Sequence, residues 1–139
     1  MHKKILHGLD GSEGSFAALA EALDLARHYG AELHTISVAE VPQYGGTIDE
    51  VIEEKETHNG YYREAIGRAQ ARAQEAGVDL KSHSVVGHEV KTIVEYIKAH
   101  DFDLLVVGFM GHSALYDRVM GSTCQALVRL APCSGVVVK

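Results

Sequence analysis

The chain has 139 residues, enough for one domain with a single sizeable core. Its 13 lysines and arginines against 19 aspartates and glutamates give a net charge of −6 at pH 7, which weighs against non-specific binding to nucleic acid or to an anionic membrane. No apolar run reaches the length of a membrane span, and the 2 cysteines form no disulfide framework or metal-ligand pattern, so we expect a cytoplasmic protein.

Short apolar runs alternate with longer segments of helical periodicity along the chain. In chain order, the predicted elements are a strand (4–9), a helix capped by Ser12 and closed by Gly30, a strand (32–38), a loop (39–47), a helix (49–77), a strand (79–86), a helix (89–100), a strand (104–108), a short helix (123–130) and a last strand (135–138). The pair Asn59-Gly60 is expected to interrupt the second helix. This alternation predicts an α/β fold, an open parallel five-stranded sheet with helices on both faces.

Two glycine-containing loops follow predicted strands, where a doubly wound sheet binds its ligands. One loop is Gly8-Leu9-Asp10, and the other begins at Gly108 and runs through Gly111-His112 to Gly121-Ser122-Thr123. The start of the last helix presents backbone N–H groups that favour an anion such as phosphate, and Ser122 and Thr123 add hydroxyl groups. Neither loop is a Walker A loop or the Gly-x-Gly-x-x-Gly of dinucleotide-binding folds.

The spacing Gly108-x-x-Gly111, nine residues, then Gly121-Ser122 resembles the nucleotide-binding signature of the universal stress protein family, in its ATP-binding branch. Four further segments are similar to that family. Residues 3–12 match its opening strand and turn, and 86–88 match the end of its third strand. Residues 103–108 match its fourth strand, and 131–138 match its closing segment. The resemblance implies one universal stress protein domain over 1–139. It also implies a Rossmann-like fold, of the adenine nucleotide alpha hydrolase type, with strand order 3-2-1-4-5.

The resemblance also implies a role for individual residues. Gly8, Leu9 and Asp10 match family positions near adenine and ribose, and Val38 matches a residue whose backbone recognises adenine. Gly108 and Gly111 match positions where the loop wraps the ribose and phosphates. The phosphate-binding turn of the family is matched by Gly121, Ser122 and Thr123. The implied ligand is ATP, or AMP or ADP, with Mg²⁺ as a companion ion. The implied assembly is a homodimer through the closing strand, about 136–138.

Simpler interpretations of these residues stay open. Asp10 is also a typical turn residue, Ser122 a typical helix N-cap, and His112 either meets a phosphate oxygen when protonated or faces solvent. We interpret Tyr61 and Tyr62 as packing or surface residues. The 9 histidines include no His-x-x-x-His pair and no His/Cys cluster, so no dedicated zinc site is expected.

Two features depart from the family pattern or add to it. The family often has a proline at the position of Gly8 and commonly a glycine at that of Ala114, but neither difference removes a backbone donor. Cys124 falls in the first turn of the last helix, where a thiolate would be favoured.

The sequence predicts an adenine-nucleotide-binding regulatory or stress-survival protein that acts on an unknown protein partner, not on nucleic acid or a membrane. No catalytic residue is assigned, because the candidate loops contain no lysine for phosphoryl transfer. Arg118, in the nine-residue spacer, either reaches the phosphates or lies at the surface. Two alternatives remain: a slow ATP-hydrolysing or phosphotransfer enzyme, and a dimeric interaction module that binds no nucleotide.

Overall fold

The computed structural model describes residues 2–40, 48–109 and 121–139, and for 48–61 it describes the backbone alone. Within these residues there are five strands and four helices, which alternate along the chain as predicted. They are β1 (Lys4–Gly8), α1 (Glu13–Tyr29), β2 (Glu32–Ala39), α2 (Ile48–Ala76), β3 (Leu80–Val86), α3 (Glu89–His100), β4 (Leu104–Gly108), α4 (Ser122–Leu130) and β5 (Ser134–Val138).

The five strands form one parallel sheet in the order β3-β2-β1-β4-β5, which confirms both the predicted fold class and the predicted strand order. The chain moves outward from β1 to β3 and then returns to pair β4 with the other side of β1. The strand order therefore reverses between β1 and β4, and their carboxyl ends border a crevice where this type of sheet binds its ligands.

Each face of the sheet is covered by a hydrophobic core. On one face α1 and α2 pack against the strands through a cluster whose fully buried members are Ile5, Ala18, Leu19, Ala22, Leu33, Ala69 and Val106. On the other face α3 and α4 pack through Leu6, Ile36, Ile93, Ile97, Leu105 and Leu127. Burial of both faces explains why the central strands have continuous apolar runs instead of alternating polar and apolar residues.

Helix α1 begins and ends as its sequence predicts. The Ser12 hydroxyl accepts a hydrogen bond from the backbone N–H of Ser15 at 3.1 Å, and Gly30 ends the helix in the left-handed conformation with φ of 62°. The other element bounds differ little from those predicted: α4 and β5 each begin one residue earlier, and β3 begins one residue later.

The predicted interruption of α2 at Asn59-Gly60 is wrong, because the helix continues through this pair over its 29 residues. An Asn-Gly pair costs a helix about 1.5 kcal/mol relative to alanine, which is small beside the packing of the helix on the sheet. That packing comes from a stripe of buried side chains at helical spacing, Tyr62, Ala65, Ala69 and Ala73. No helix in the described part of the chain combines the length and the apolar character needed to cross a membrane.

His7 is completely buried on β1 and joins three elements. Its Nε2 atom lies 2.8 Å from the carbonyl oxygen of Ser15 in α1, and its Nδ1 atom lies 2.9 Å from Oγ1 of Thr35 in β2. Because a carbonyl oxygen only accepts hydrogen bonds, Nε2 carries the proton and Nδ1 accepts from the Thr35 hydroxyl. Burial lowers the pKa of His7 from 6.5 to about 4, so the ring is neutral at physiological pH.

Gly108, at the end of β4, lies directly under the first turn of α1. A Cβ atom on Gly108 would lie 2.6 Å from the carbonyl oxygen of Gly14 and 2.7 Å from its carbonyl carbon. Both are backbone atoms of a helix, so they cannot move aside as a flexible side chain would. Gly108 is therefore required for the close approach of α1 to the sheet, whatever its role towards a ligand.

We expect the free energy of unfolding to decrease as the pH falls below 6.5. The unfolded chain binds the His7 proton near pH 6.5, whereas the folded protein binds it only near pH 4. The contribution of His7 to the free energy of unfolding is therefore complete above pH 6.5 and is lost as the pH falls through 4. Its full size is about 3 kcal/mol. Denaturant unfolding of wild type and of His7→Gln across this range measures the effect, with the exposed His28→Gln as control.

In His7→Gln the pH dependence should shrink but persist in part, because burial also lowers the pKa values of His34 and His83. The same pH dependence in His7→Gln and in wild type would contradict this account of His7.

Gly108→Ala should lower the free energy of unfolding by about 1–3 kcal/mol, since the added methyl group overlaps the backbone of α1. Gly67→Ala is the matched control, because a Cβ atom on this helical glycine meets nothing within 4 Å. It should raise stability by about 0.5–1 kcal/mol. Thermal unfolding should show a lower melting temperature than wild type for Gly108→Ala and a higher one for Gly67→Ala. Equal changes in the two variants would show that the contact with Gly14 does not constrain the fold.

Candidate functional site

The first predicted loop turns sharply at the end of β1. The Asp10 carboxylate accepts hydrogen bonds from the Ser12 hydroxyl and from the Ser12 backbone N–H, the latter at 2.9 Å. Ser12 in turn caps α1. Asp10 therefore does act as a turn residue, and the same bonds hold its carboxylate at the rim of the crevice, between the end of β1 and the start of α1.

Val38 presents its backbone polar groups to the crevice. The N–H of Leu9 donates to the carbonyl oxygen of Ile36 at 2.9 Å, as the last bond between β1 and β2, and the Ser37 hydroxyl donates to the carbonyl oxygen of Leu9 at 2.8 Å. Because backbone groups alternate sides along a strand, those of Val38 face the same side as those of Ile36. On that side β1 has already turned away into α1.

The second loop begins one strand away, beside the first. Gly8 on β1 faces β4 so closely that a Cβ atom there would lie 3.4 Å from Cγ1 of Val107. After Gly108, the Phe109 N–H donates to the carbonyl oxygen of Val138 at 2.8 Å, and the Phe109 carbonyl oxygen accepts from the Gly121 N–H at 3.0 Å. Phe109 thus joins the two ends of the loop. Gly111 and His112 lie outside the described residues.

The loop ends at the start of α4, where the sequence-based assignment of Ser122 needs a correction. Gly121 is the N-cap, with φ of −59° and ψ of 147°, so Ser122 is not the cap but the first helical residue, followed by Thr123. A glycine has no side chain with which to satisfy the first N–H groups of the helix. These donors and the positive end of the helix dipole are suited to an anion.

The structure therefore brings most of the predicted site residues to one edge of the sheet. Those on the β1–β2 side are Gly8, Leu9, Asp10 and Val38, and those on the β4 side are Gly108, Gly121, Ser122 and Thr123. The polar groups they supply are mostly backbone N–H and C=O groups, with one carboxylate and two hydroxyls.

Sequence reasoning missed the contact between Tyr62 and Val38. The side chain is 8% exposed, and its hydroxyl donates a hydrogen bond to the carbonyl oxygen of Val38 at 3.2 Å. The signal was present in the helical spacing, because Tyr62 precedes Ala65, Ala69 and Ala73 on the buried stripe of α2. Tyr62 is therefore a packing residue, in agreement with the sequence interpretation, and its hydroxyl also bonds to the backbone at the end of β2.

Sequence reasoning also missed a histidine pair away from the crevice. Nδ1 of His34 lies 2.8 Å from Nε2 of His83, and Nε2 of His34 lies 3.4 Å from the Glu32 carboxylate. The register pairs Ile36 with His83, which places His34 and His83 diagonally on one face of the sheet. No group of three or more potential ligands that could hold a metal ion occurs among the described residues.

The thiolate expected at Cys124 is not favoured. The side chain is buried, and this burial raises the pKa of the Cys124 thiol; burial also raises the pKa of Cys133. Loss of hydration therefore outweighs the helix N-terminus, and the thiol behaves as a small buried apolar group.

Comparison with known proteins agrees with this fold. A model of the universal stress protein family matches residues 1–139. A universal stress protein of Methanocaldococcus jannaschii is 30% identical over 143 residues, a match that covers all of this chain and 83% of the relative.

Two solved structures are similar over nearly their whole length. The universal stress protein UspA from Lactobacillus plantarum has a TM-score of 0.88 at 26% identity, with 99% of this chain and 98% of that one covered. A universal stress protein in complex with cAMP has a TM-score of 0.77 at 27% identity, with 99% and 97% covered. The family match across the full sequence and the shared fold lead to one conclusion: this chain belongs to the universal stress protein family.

Proposed function

We propose that the protein binds an adenine nucleotide, with ATP as the first candidate, in the crevice between β1 and β4. We further propose that it acts in the cytoplasm as a regulatory protein of stress survival. The observation that carries the proposal is that two glycine-containing loops, distant in sequence, border one crevice where the strand order reverses. A similar universal stress protein of known structure is in complex with cAMP, which is an adenine nucleotide.

In this proposal the base lies against the end of β2. Val38 offers a backbone N–H and a C=O side by side, and adenine has an acceptor nitrogen beside a donor amino group. The two edges are therefore complementary. Gly8 and Leu9 would bring the end of β1 close beneath the ligand, and the Asp10 carboxylate would accept hydrogen bonds from ribose hydroxyls.

The phosphates would lie at the start of α4. The N–H groups of the first turn and the hydroxyls of Ser122 and Thr123 supply donors, and Gly111 and His112 complete the proposed site from outside the described residues. The described residues offer no cluster of carboxylates for a metal ion. A Mg²⁺ ion would therefore be held chiefly by the phosphates themselves.

The proposed signal is the state of the connection between Gly108 and Gly121. Phe109 already joins the two ends of this connection through its bonds to Val138 and Gly121. Bound phosphates would fix what lies between them, and a partner protein would then distinguish the occupied from the empty protein.

Gly121→Val should weaken ATP binding at least about tenfold, because the side chain would cover the N–H groups at the start of α4. The fold should survive, since φ of −59° and ψ of 147° suit any residue. Calorimetric titration of Mg-ATP into protein stripped of nucleotide measures the affinity. Gly67→Val, a glycine replacement on an open face of α2, is the control and should bind as wild type does.

An unchanged affinity in Gly121→Val would remove this turn from the site. A wild-type protein that binds no adenine nucleotide would overturn the proposal, and conversion of ATP to ADP during the titration would favour the hydrolytic alternative.

We also propose that the protein forms a homodimer through β5. This strand is at the edge of the sheet, and in the described part of the chain no strand pairs with its outer side. The carbonyl of Val138 faces β4, so by alternation the N–H and C=O of Val137 face outward. An apolar edge of this kind pairs readily with a second copy.

Val137→Pro should convert the dimer to a folded monomer, because it removes an outward N–H that only a partner strand would use. Val136→Pro is the comparison, since its N–H faces β4 and its loss should unfold the strand. Sedimentation analysis measures whether each variant is a monomer or a dimer, and circular dichroism measures whether it is folded. A Val137→Pro dimer, or a monomeric wild type, would contradict pairing through β5.

A further inference from the structure

Tyr62 lies at the point where α2 meets the end of β2. It begins the buried stripe of α2, and its side chain is 8% exposed. Its hydroxyl donates to the carbonyl oxygen of Val38 at 3.2 Å, a contact between residues 24 positions apart. The helix therefore carries a hydrogen-bond donor to the carboxyl edge of the sheet.

The carbonyl oxygen that receives this bond is also the one that the proposed site offers to a base. The last bond between β1 and β2 is made at Ile36, and beyond it the Val38 carbonyl faces the crevice. A base with an exocyclic amino group would donate to this oxygen, and so does the Tyr62 hydroxyl. A carbonyl oxygen has two lone pairs and can accept both bonds, but the bond from Tyr62 leaves it a weaker acceptor for the amino group of the base.

The hydroxyl differs from an amide N–H in that it rotates and can also accept. Beside a purine with an amino group at position 6, it shares the Val38 carbonyl oxygen with that amino group and weakens the second bond. Beside a purine with an oxygen at position 6, it can turn its hydrogen to that oxygen and supply a bond that the Val38 carbonyl cannot. The same group therefore weakens binding of the first base and strengthens binding of the second.

We propose that Tyr62 determines the base specificity of the site. Its hydrogen bond to the Val38 carbonyl reduces the ratio of the affinity for 6-amino purines to the affinity for 6-oxo purines. The inference rests on the proposed nucleotide function. Wild type should accordingly discriminate weakly, with affinities for ATP and for inosine triphosphate within about tenfold of each other.

Tyr62→Phe tests the proposal, because it removes the hydroxyl and keeps the ring. The affinity for ATP should rise about fivefold, since the amino group then no longer shares the Val38 carbonyl oxygen with a second donor, and the affinity for inosine triphosphate should fall. The nucleotide-free variant should melt a few degrees lower, because its buried carbonyl has lost a donor. Calorimetric titration with each nucleotide and thermal unfolding supply the readouts.

Tyr29→Phe is the matched control, since that ring lies at the far end of α1 and contacts His2 and His28. It should leave both affinities as in wild type.

The outcomes separate this inference from the function on which it rests. An ATP to inosine triphosphate ratio that is the same in Tyr62→Phe and wild type would show that the hydroxyl only stabilises the fold. A fall in ATP affinity in Tyr62→Phe would show that the hydroxyl binds adenine directly. A wild-type affinity ratio clearly above about tenfold would contradict weak discrimination without any variant. If wild type binds neither nucleotide, the proposed function fails and the inference fails with it.

Discussion

The close contact between the first turn of α1 and the carboxyl ends of β1 and β4 determines the shape of the crevice. It rests on two features: the absence of a side chain at Gly108, beneath Gly14, and the bond from the neutral imidazole of His7 to Ser15. With α1 held there, β1 must turn at Asp10, and β2 extends past it. As a consequence of that turn, the backbone groups of Val38 lie past the last bond between β1 and β2.

The polar groups of the crevice come mainly from the backbone, and this limits what a sequence can reveal about it. Every residue other than proline has a backbone donor, and only the position of such donors makes a site. The glycines are informative because they mark where the chain approaches closely, but a close approach has more than one cause. Gly108 is an example, since its contact with α1 requires a glycine before any ligand is considered.

Local patterns predicted the fold well because they reflect local physics. The buried central strands, the cap at Ser12 and the left-handed end at Gly30 were all readable from neighbouring residues. The failures have a common cause, which is that tertiary packing overrides local preference. Asn59-Gly60 favours a turn, yet α2 continues, and Cys124 occupies a helix N-terminus, yet burial raises the pKa of its thiol.

Contacts between distant residues were beyond the sequence for a different reason. The meeting of His34 with His83 depends on the register of β2 against β3, which no local pattern specifies. The bond from Tyr62 to Val38 depends on where α2 crosses the sheet. These three side chains lay on predictable faces of their elements, but their partners did not follow from those faces.

The most direct measurement is the mapping of backbone amide signals by nuclear magnetic resonance as Mg-ATP is added to nucleotide-free protein. The chain of 15.1 kDa is of a size that suits this method. The account predicts that the signals of Asp10, Val38, Gly108 and Ser122 shift together and saturate at one nucleotide per chain, while those near His34 and His83 stay in place. Signals that do not move, or that move at another surface, would contradict a nucleotide site between β1 and β4.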